Sequence, residues 1–283
     1  TVPCGNAADD EQLILQPHEL PTIYDDIARI FEDAAREGVD IFAGNNIGYF
    51  GPHEHLWRTL SDRPEPWMGC QAAETAIGIE ADGAIKGCPS LDRYRYSGGN
   101  IRERPLAEIW RDMAGTVSQR VRPPRWGFCG SCYYGDQCGA GCTWTSGSVS
   151  EKPGNNPFCD YRARTLARQG LRERLVRTKP APGIPFDFAT WELLLESEDG
   201  ALCTAPASYG PPPPEQPGEM VLCPGCTQFA YAGADCPHCG TGLSEIPPPL
   251  ETTLAQLQHA LSELDRINAA CASDLEKLRA PAG

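Results

Sequence analysis

Seven cysteines between Cys70 and Cys159 constrain this chain more than any other feature. Cys70, Cys88, Cys129, Cys132, Cys138, Cys142 and Cys159 follow the spacing Cys-x12-Gly-x4-Cys, then Cys-x2-Cys-x5-Cys-x3-Cys, then a last Cys, with Gly83 as the fixed glycine. The chain holds 14 cysteines in all, and Cys-x2-Cys pairs recur at 129/132, 223/226 and 236/239. That is ligand spacing rather than a staple pattern. Disulfide frameworks belong to oxidising compartments, whereas clustered free thiolates require a reducing one. The cysteines therefore predict metal ligation and a cytoplasmic setting.

The remaining composition narrows the classes. The 283 residues suffice for two domains, or one with appendages, and 27 Pro with 29 Gly imply long loops. A net charge of −14 argues against binding duplex nucleic acid, whose phosphates demand clustered cations. No apolar stretch is long enough to span a membrane, and nothing at the start reads as a signal peptide. Thr1 stands where a start Met is expected, in sequence that reads as mid-domain, which predicts a fragment.

Residues 1–66 read as strand, helix, strand, helix, the alternation of parallel α/β units. Ile23, Ile27, Ile30, Phe31 and Ala34 recur at helical spacing from Pro21 to Glu37, and Gly38 stops the helix. Val39–Ala43 reads as a strand, followed by a glycine-rich turn and a helix from about His53 to Leu60, with His53 and His55 at the surface. Within 67–179, Ala76–Ala81 and Ala84–Gly87 flank an Asp82-Gly83 hairpin turn. Leu106, Ile109, Trp110 and Met113 mark one face of a helix over Leu106–Val117. A basic helix is expected from Cys159 to about Val176, to balance anionic clusters or attract an acidic peptide. Residues 180–218, with Pro211 to Pro214, read as a semi-rigid linker.

The glycines around Cys129–Cys142 (Gly130, Gly135, Gly139, Gly141) suit a backbone wrapped round an inorganic core, with N–H groups turned toward sulfide. Four of the thiolates could instead make one tetrahedral zinc site, but three would be left over. The seven-cysteine pattern, the Gly78–Pro89 segment, Gly99-Asn100-Ile101-Arg102 and Leu106-Ala107-Glu108-Ile109-Trp110 resemble the SPASM domain, the auxiliary iron–sulfur domain of many radical S-adenosylmethionine (SAM) enzymes. The resemblance implies two auxiliary 4Fe–4S clusters: Cys70, Cys88 and Cys142 on the first, and Cys129, Cys132, Cys138 and Cys159 on the second. The anaerobic sulfatase-maturating enzymes have a further cysteine before the position of Cys70, where this chain has Pro64-Glu65-Pro66. The first cluster is then left with an open iron, a ligand such as Glu65, or one from elsewhere.

The same resemblance casts residues 1–66 as the end of a partial (β/α) radical SAM barrel. The SAM-binding Cys-x3-Cys-x2-Cys loop does not occur in this sequence, so SAM and a third 4Fe–4S cluster are expected only in a longer protein whose catalytic half lies upstream. Asn45 and Asn46, at the end of a barrel strand, are candidates to contact SAM or substrate; a glycine-rich turn explains them equally.

Cys223-Pro224-Gly225-Cys226 and Cys236-Pro237-His238-Cys239, within 219–244, form a zinc-ribbon signature, with a rubredoxin-like iron site as the chemical alternative. Its acidic surroundings suggest protein docking. Over 245–283, Leu250, Leu254, Leu257, Leu261, Leu264, Ile267, Cys271, Leu275 and Leu278 lay out an amphipathic helix for a partner or the body. Cys4, Cys203 and Cys271 read as isolated thiols.

The expected fold is thus α/β to α+β: a barrel remnant, the iron–sulfur domain, a zinc ribbon and a helix. The expected function is the C-terminal part of a radical SAM enzyme that modifies a peptide or protein, with clusters that relay electrons or bind substrate. Its expected partners are that substrate and a reductant such as a flavodoxin or ferredoxin. Two rival classes are a non-enzymatic electron-transfer protein and a zinc-only interaction scaffold.

Overall fold

A computed structural model describes residues 10–43, 47–58, 64–91, 93–116, 123–150, 152–183, 189–206, 208–215 and 217–244, with Ser262 and Arg266. Residues 1–243 form one compact unit and 244–283 a second. The proposed helix from Leu250 to Leu278 lies almost wholly outside the described residues, although Ser262 and Arg266 are helical. Cys4, Cys271, Asn45 and Asn46 also lie outside them. Among the described residues no helix is long and apolar enough to cross a membrane.

Helix α1 (Leu20–Arg36) opens with Pro at its first turn, where a missing N–H costs nothing. It ends in a Schellman arrangement: Gly38 has φ +68, its N–H reaches Ala35 O, and Val39 N–H reaches Ala34 O at 2.8 Å. The buried stripe is Leu20, Tyr24 and Ala28, one step of four apart, with Ile27 and Phe31 at its margins. Ile30, assigned to that face by spacing, is 56% exposed.

The first expected strand of the barrel remnant lies outside the described residues, and among the described residues of 1–66 no strand is seen. Val39–Ala43 is extended but belongs to no sheet, and Val39, Ile41 and Phe42 are exposed. A strand exists only as part of a ladder, and no described segment pairs with it. Helix α2 is short, Glu54–Trp57, and His53 and His55 are half-buried rather than on the surface.

Strands β1 (Gly78–Ile79) and β2 (Ala84–Lys86) make the expected hairpin, with Gly83 at φ +88. After the short α3 (Arg93–Tyr96), β3 (Ser97–Asn100) adds antiparallel to β2. Helix α4 (Leu106–Thr116) then packs Ile109 and Met113, both fully buried, onto this sheet with Ile85, Leu91 and Tyr96. Trp110 is only half-buried and Leu106 is 40% exposed. Gly98 allows the close approach, because a Cβ there would stand 2.3 Å from Met113 Cγ.

The cysteine-rich stretch contributes α5 (Gly127–Gly130), α6 (Gly135–Cys138) and α7 (Thr143–Ser148), each one or two turns. Helix α8 follows, and it stops at Ala167 (Asp160–Ala167) rather than running to Val176. Gly170 at φ +68 breaks it. Arg168 caps the helix, and Arg172, Arg174, Arg177 and Lys179 lie on β4 (Leu171–Lys179), paired antiparallel with β5 (Thr190–Ser197) in the register Leu171↔Ser197 and Leu175↔Leu193. The segment read as a linker therefore contains a strand. Its alternation places Trp191 against α1 and α8 in a core with Leu20, Tyr24, Trp57, Ala163 and Leu175. Strands β6 (Met220–Leu222) and β7 (Phe229–Tyr231) form the last hairpin.

Candidate metal centres

The four cysteines assigned by resemblance to one cluster converge. Cys129, Cys132, Cys138 and Cys159 line a single small cavity. Helices α5 and α6 carry Cys129 and Cys138, and Cys159 caps α8. The rest of the wall is mainly aromatic: Tyr49, Phe50, Phe128, Tyr134 and Tyr161. Phe50 and Tyr134 stack with centroids 4.1 Å apart at 9°.

Burial pushes all four thiols up: Cys132 to about 12, and Cys138 and Cys159 well above the ordinary thiol value. Without a metal these groups hold their protons; a cationic core that displaces them removes the cost of burying thiolate. Each sulfur also faces a backbone N–H that opposes the upward shift. The donors are Asn156 to Cys129, Tyr134 to Cys132, Gly141 to Cys138 and Arg162 to Cys159. The spacings in the last three cases are two or three residues: Gly139 and Gly141, both at positive φ, shape the turn at Cys138, and Arg162 lies in the first turn of α8 that Cys159 caps. Donors aimed at sulfur, in an aromatic-walled cavity with four convergent thiols, fit a thiolate-held inorganic cluster.

A buried cation beside this cavity is Arg162, 2% exposed. Its Nε and Nη2 donate to Glu173 at 2.7 and 2.6 Å, and its Nη1 to Asn155 Oδ1 at 2.7 Å and Asn156 O at 3.0 Å. Burial pulls its pKa down, but the Glu173 carboxylate and then Cys129 and Cys159 outweigh this and raise it. Arg162 therefore stays cationic beside the cavity. The sequence places this residue in a basic helix expected to balance anionic clusters or attract an acidic peptide; its partner Glu173 becomes visible only with the β4 pairing.

The first set is gathered on the other side of Tyr49. Cys142 lies close enough to Cys70 to feel its charge, and Ala73 N–H donates to Gly87 O at 3.3 Å, holding the Cys70 segment beside Cys88. Burial raises the Cys142 thiol, opposed by the N–H groups of Thr145 and Trp144 and the Thr145 hydroxyl. Glu65, the suggested fourth ligand, is exposed.

Tyr49 stands between the two sets. Its hydroxyl accepts the Cys142 N–H at 3.1 Å, its carbonyl accepts the Tyr161 N–H at 3.2 Å and faces Cys159 Sγ at 3.7 Å, and its ring lines the cavity. Glu54, 1% exposed, fixes this loop by accepting from Phe50 N–H (3.0 Å), Trp67 N–H (3.0 Å) and Arg58 Nε (2.6 Å). None of these residues was singled out from sequence.

Gly141 is a close approach between the two sets. At φ +71, a Cβ would lie 2.8 Å from both Tyr49 ring carbons and Asn156 Nδ2. A Gly141→Ala variant is expected to lose most bound iron at both sites. The left-handed backbone alone costs it about 1–2 kcal/mol, and iron analysis with thermal denaturation checks this.

The third group is the tightest. Among the described residues, Cys223, Cys226, Cys236 and Cys239 are the set whose ligand atoms all lie within 4.8 Å of one another. Cys223–Cys239 sulfurs are 3.5 Å apart and Cys226–Cys236 sulfurs 3.7 Å. A tetrahedral ion with bonds of about 2.3 Å places its sulfurs about 3.8 Å apart, so one ion fits. Gly225 N–H donates to Cys223 Sγ at 3.4 Å, and the Thr241 hydroxyl and N–H pull the Cys239 thiol down to about 6.

Residues 70–133 match the SPASM family, an iron–sulfur cluster-binding domain. The match covers Cys70, Cys88, Cys129 and Cys132; the other three cysteines lie beyond it. An AdoMet-dependent heme synthase of Nitratidesulfovibrio vulgaris (strain Hildenborough) is 29% identical over 99 residues, 35% of this chain and 26% of that protein. The chain thus matches about a quarter of that relative's length. No solved structure gives a significant match. The seven-cysteine spacing and the convergent thiols thus go with a region, residues 70–133, that is similar to the SPASM iron–sulfur cluster-binding domain.

Proposed function

We propose that the chain is the auxiliary-cluster portion of a radical SAM enzyme. The observation that carries this reading is the single cavity lined by Cys129, Cys132, Cys138 and Cys159. In this reading those four residues hold one 4Fe–4S cluster, and Cys70, Cys88 and Cys142 hold a second. The clusters supply one-electron transfer or, at the incompletely ligated iron, a position for substrate. The protein's own part is to bury the thiolates, direct N–H groups at them and keep Arg162 as a countercharge. Zinc at the four-cysteine knuckle is favoured because four thiolates close its coordination shell.

The substrate class proposed first is a peptide or protein side chain, with a flavodoxin or ferredoxin as reductant. The name of the Nitratidesulfovibrio relative favours a second class, a tetrapyrrole. Mass analysis of peptide and tetrapyrrole products from a full-length protein separates the two. The Cys-x3-Cys-x2-Cys loop is absent here, so this chain incubated alone with SAM and a reductant should release no 5′-deoxyadenosine. Its release would overturn the assignment to an auxiliary portion.

A further inference from the structure

The four-cysteine knuckle was expected to dock other proteins, yet its best-defined contacts are inside this chain. Phe229 and Tyr231 of β7 belong to the same buried cluster as Tyr49, Phe50, Phe128, Tyr134 and Tyr161, which wall the cavity. Tyr134 joins the two. One face of its ring stacks on Phe50 inside the cavity, and its N–H supports Cys132. Its hydroxyl leaves the cavity and donates to Phe229 O at 2.6 Å, while His238 Nε2 lies 2.5 Å away. Both partners of this hydroxyl come from the knuckle, and His238 sits between the ligands Cys236 and Cys239. The arrangement is satisfied when His238 donates its Nε2–H to the tyrosine oxygen. Tyr231 N–H donates to the Tyr133 hydroxyl at 3.1 Å, with the two rings 5.2 Å apart.

A buried phenol that loses its partners bears the full cost of desolvation. The hairpin that supplies those partners is too small to hold its shape without a metal. We propose that the knuckle is the outer wall of the iron–sulfur pocket: its bound metal fixes His238 and Phe229 on Tyr134 and so keeps the pocket closed to oxidant. This inference rests on the reading that Cys129, Cys132, Cys138 and Cys159 hold a cluster. Knuckle metal and cluster stability are then coupled, and loss of one weakens the other.

The test uses the whole chain loaded anaerobically with iron, sulfide and zinc, then exposed to air. The readout is the rate at which the sulfur-to-iron charge-transfer absorbance bleaches. A Cys226→Ser/Cys239→Ser variant removes the knuckle metal. A Tyr134→Phe variant keeps metal and ring but removes the hydroxyl. Both should bleach roughly tenfold faster than the parent, the effect of losing about 1.4 kcal/mol of closure. If the zinc-free variant fails to load iron, Tyr134→Phe decides alone. An unchanged rate in either loaded variant overturns the proposal. A parent chain that binds no sulfide would instead sink the cluster reading, a separate and recognisable result.

Discussion

Replacing Arg162 with methionine is expected to destabilise the folded chain by about 3–5 kcal/mol, as happens when one partner of a buried ion pair is removed. The guanidinium and the Glu173 carboxylate are 3% and 7% exposed and make two parallel hydrogen bonds. Methionine leaves the Glu173 charge buried without its partner. It also frees Asn155, whose Oδ1 accepts from Arg162 and from the Cys129 N–H. The variant should therefore bind iron less firmly as well as unfold earlier. The double variant Arg162→Met/Glu173→Met removes both charges and should recover most of the lost stability, because an apolar pair can fill the same space. Denaturant titration of all three proteins in the metal-free state reads the energy. Iron retention during gel filtration reads the effect on the cluster. Equal stability of Arg162→Met and its parent would show that the pair is not closed in solution.

The second large effect separates the metal centres. A Cys138→Ala variant should lose about four of about eight irons, with matching sulfide, because a cubane held by four thiolates is lost as a unit. It should retain its zinc. Cys88→Ala should remove the other four irons, and Cys226→Ser should remove zinc while leaving sulfide bound. If Cys138→Ala and Cys88→Ala removed the same irons, the seven cysteines would form one site, and the division at Tyr49 would be wrong.

Spacing alone made the cysteines legible, because ligand chemistry imposes short, fixed intervals within a chain. The Asp82-Gly83 hairpin was legible for the same local reason, and so was the knuckle at Cys223–Cys239. The aromatic wall was not. Tyr49 and Phe50 reach the cavity from a loop about eighty residues before Cys129 and are held there by Glu54, which no local pattern announces. Arg162 misled for a related reason. Its neighbours in sequence are cations, so the run from Arg162 to Lys179 read as one basic helix. Gly170 breaks that run, and pairing with Thr190–Ser197 makes the second half a strand that delivers Glu173 to Arg162. Helix propensity lost to a tertiary ladder whose other half lay in a segment dismissed as a spacer. On α1 the helix itself was correct, but its inner face turns on Tyr24, so Ile30 points away from the core. The strand expected at Val39–Ala43 rested on β-propensity without a partner, and none pairs with it among the described residues.

The most direct test of the account is the iron, sulfide and zinc content of the anaerobically reconstituted chain. Two cubanes beside a closed four-cysteine site predict about eight irons, about eight sulfides and about one zinc per chain. Zinc without sulfide would contradict the account: the cavity lined by Cys129, Cys132, Cys138 and Cys159 would then not be an iron–sulfur site.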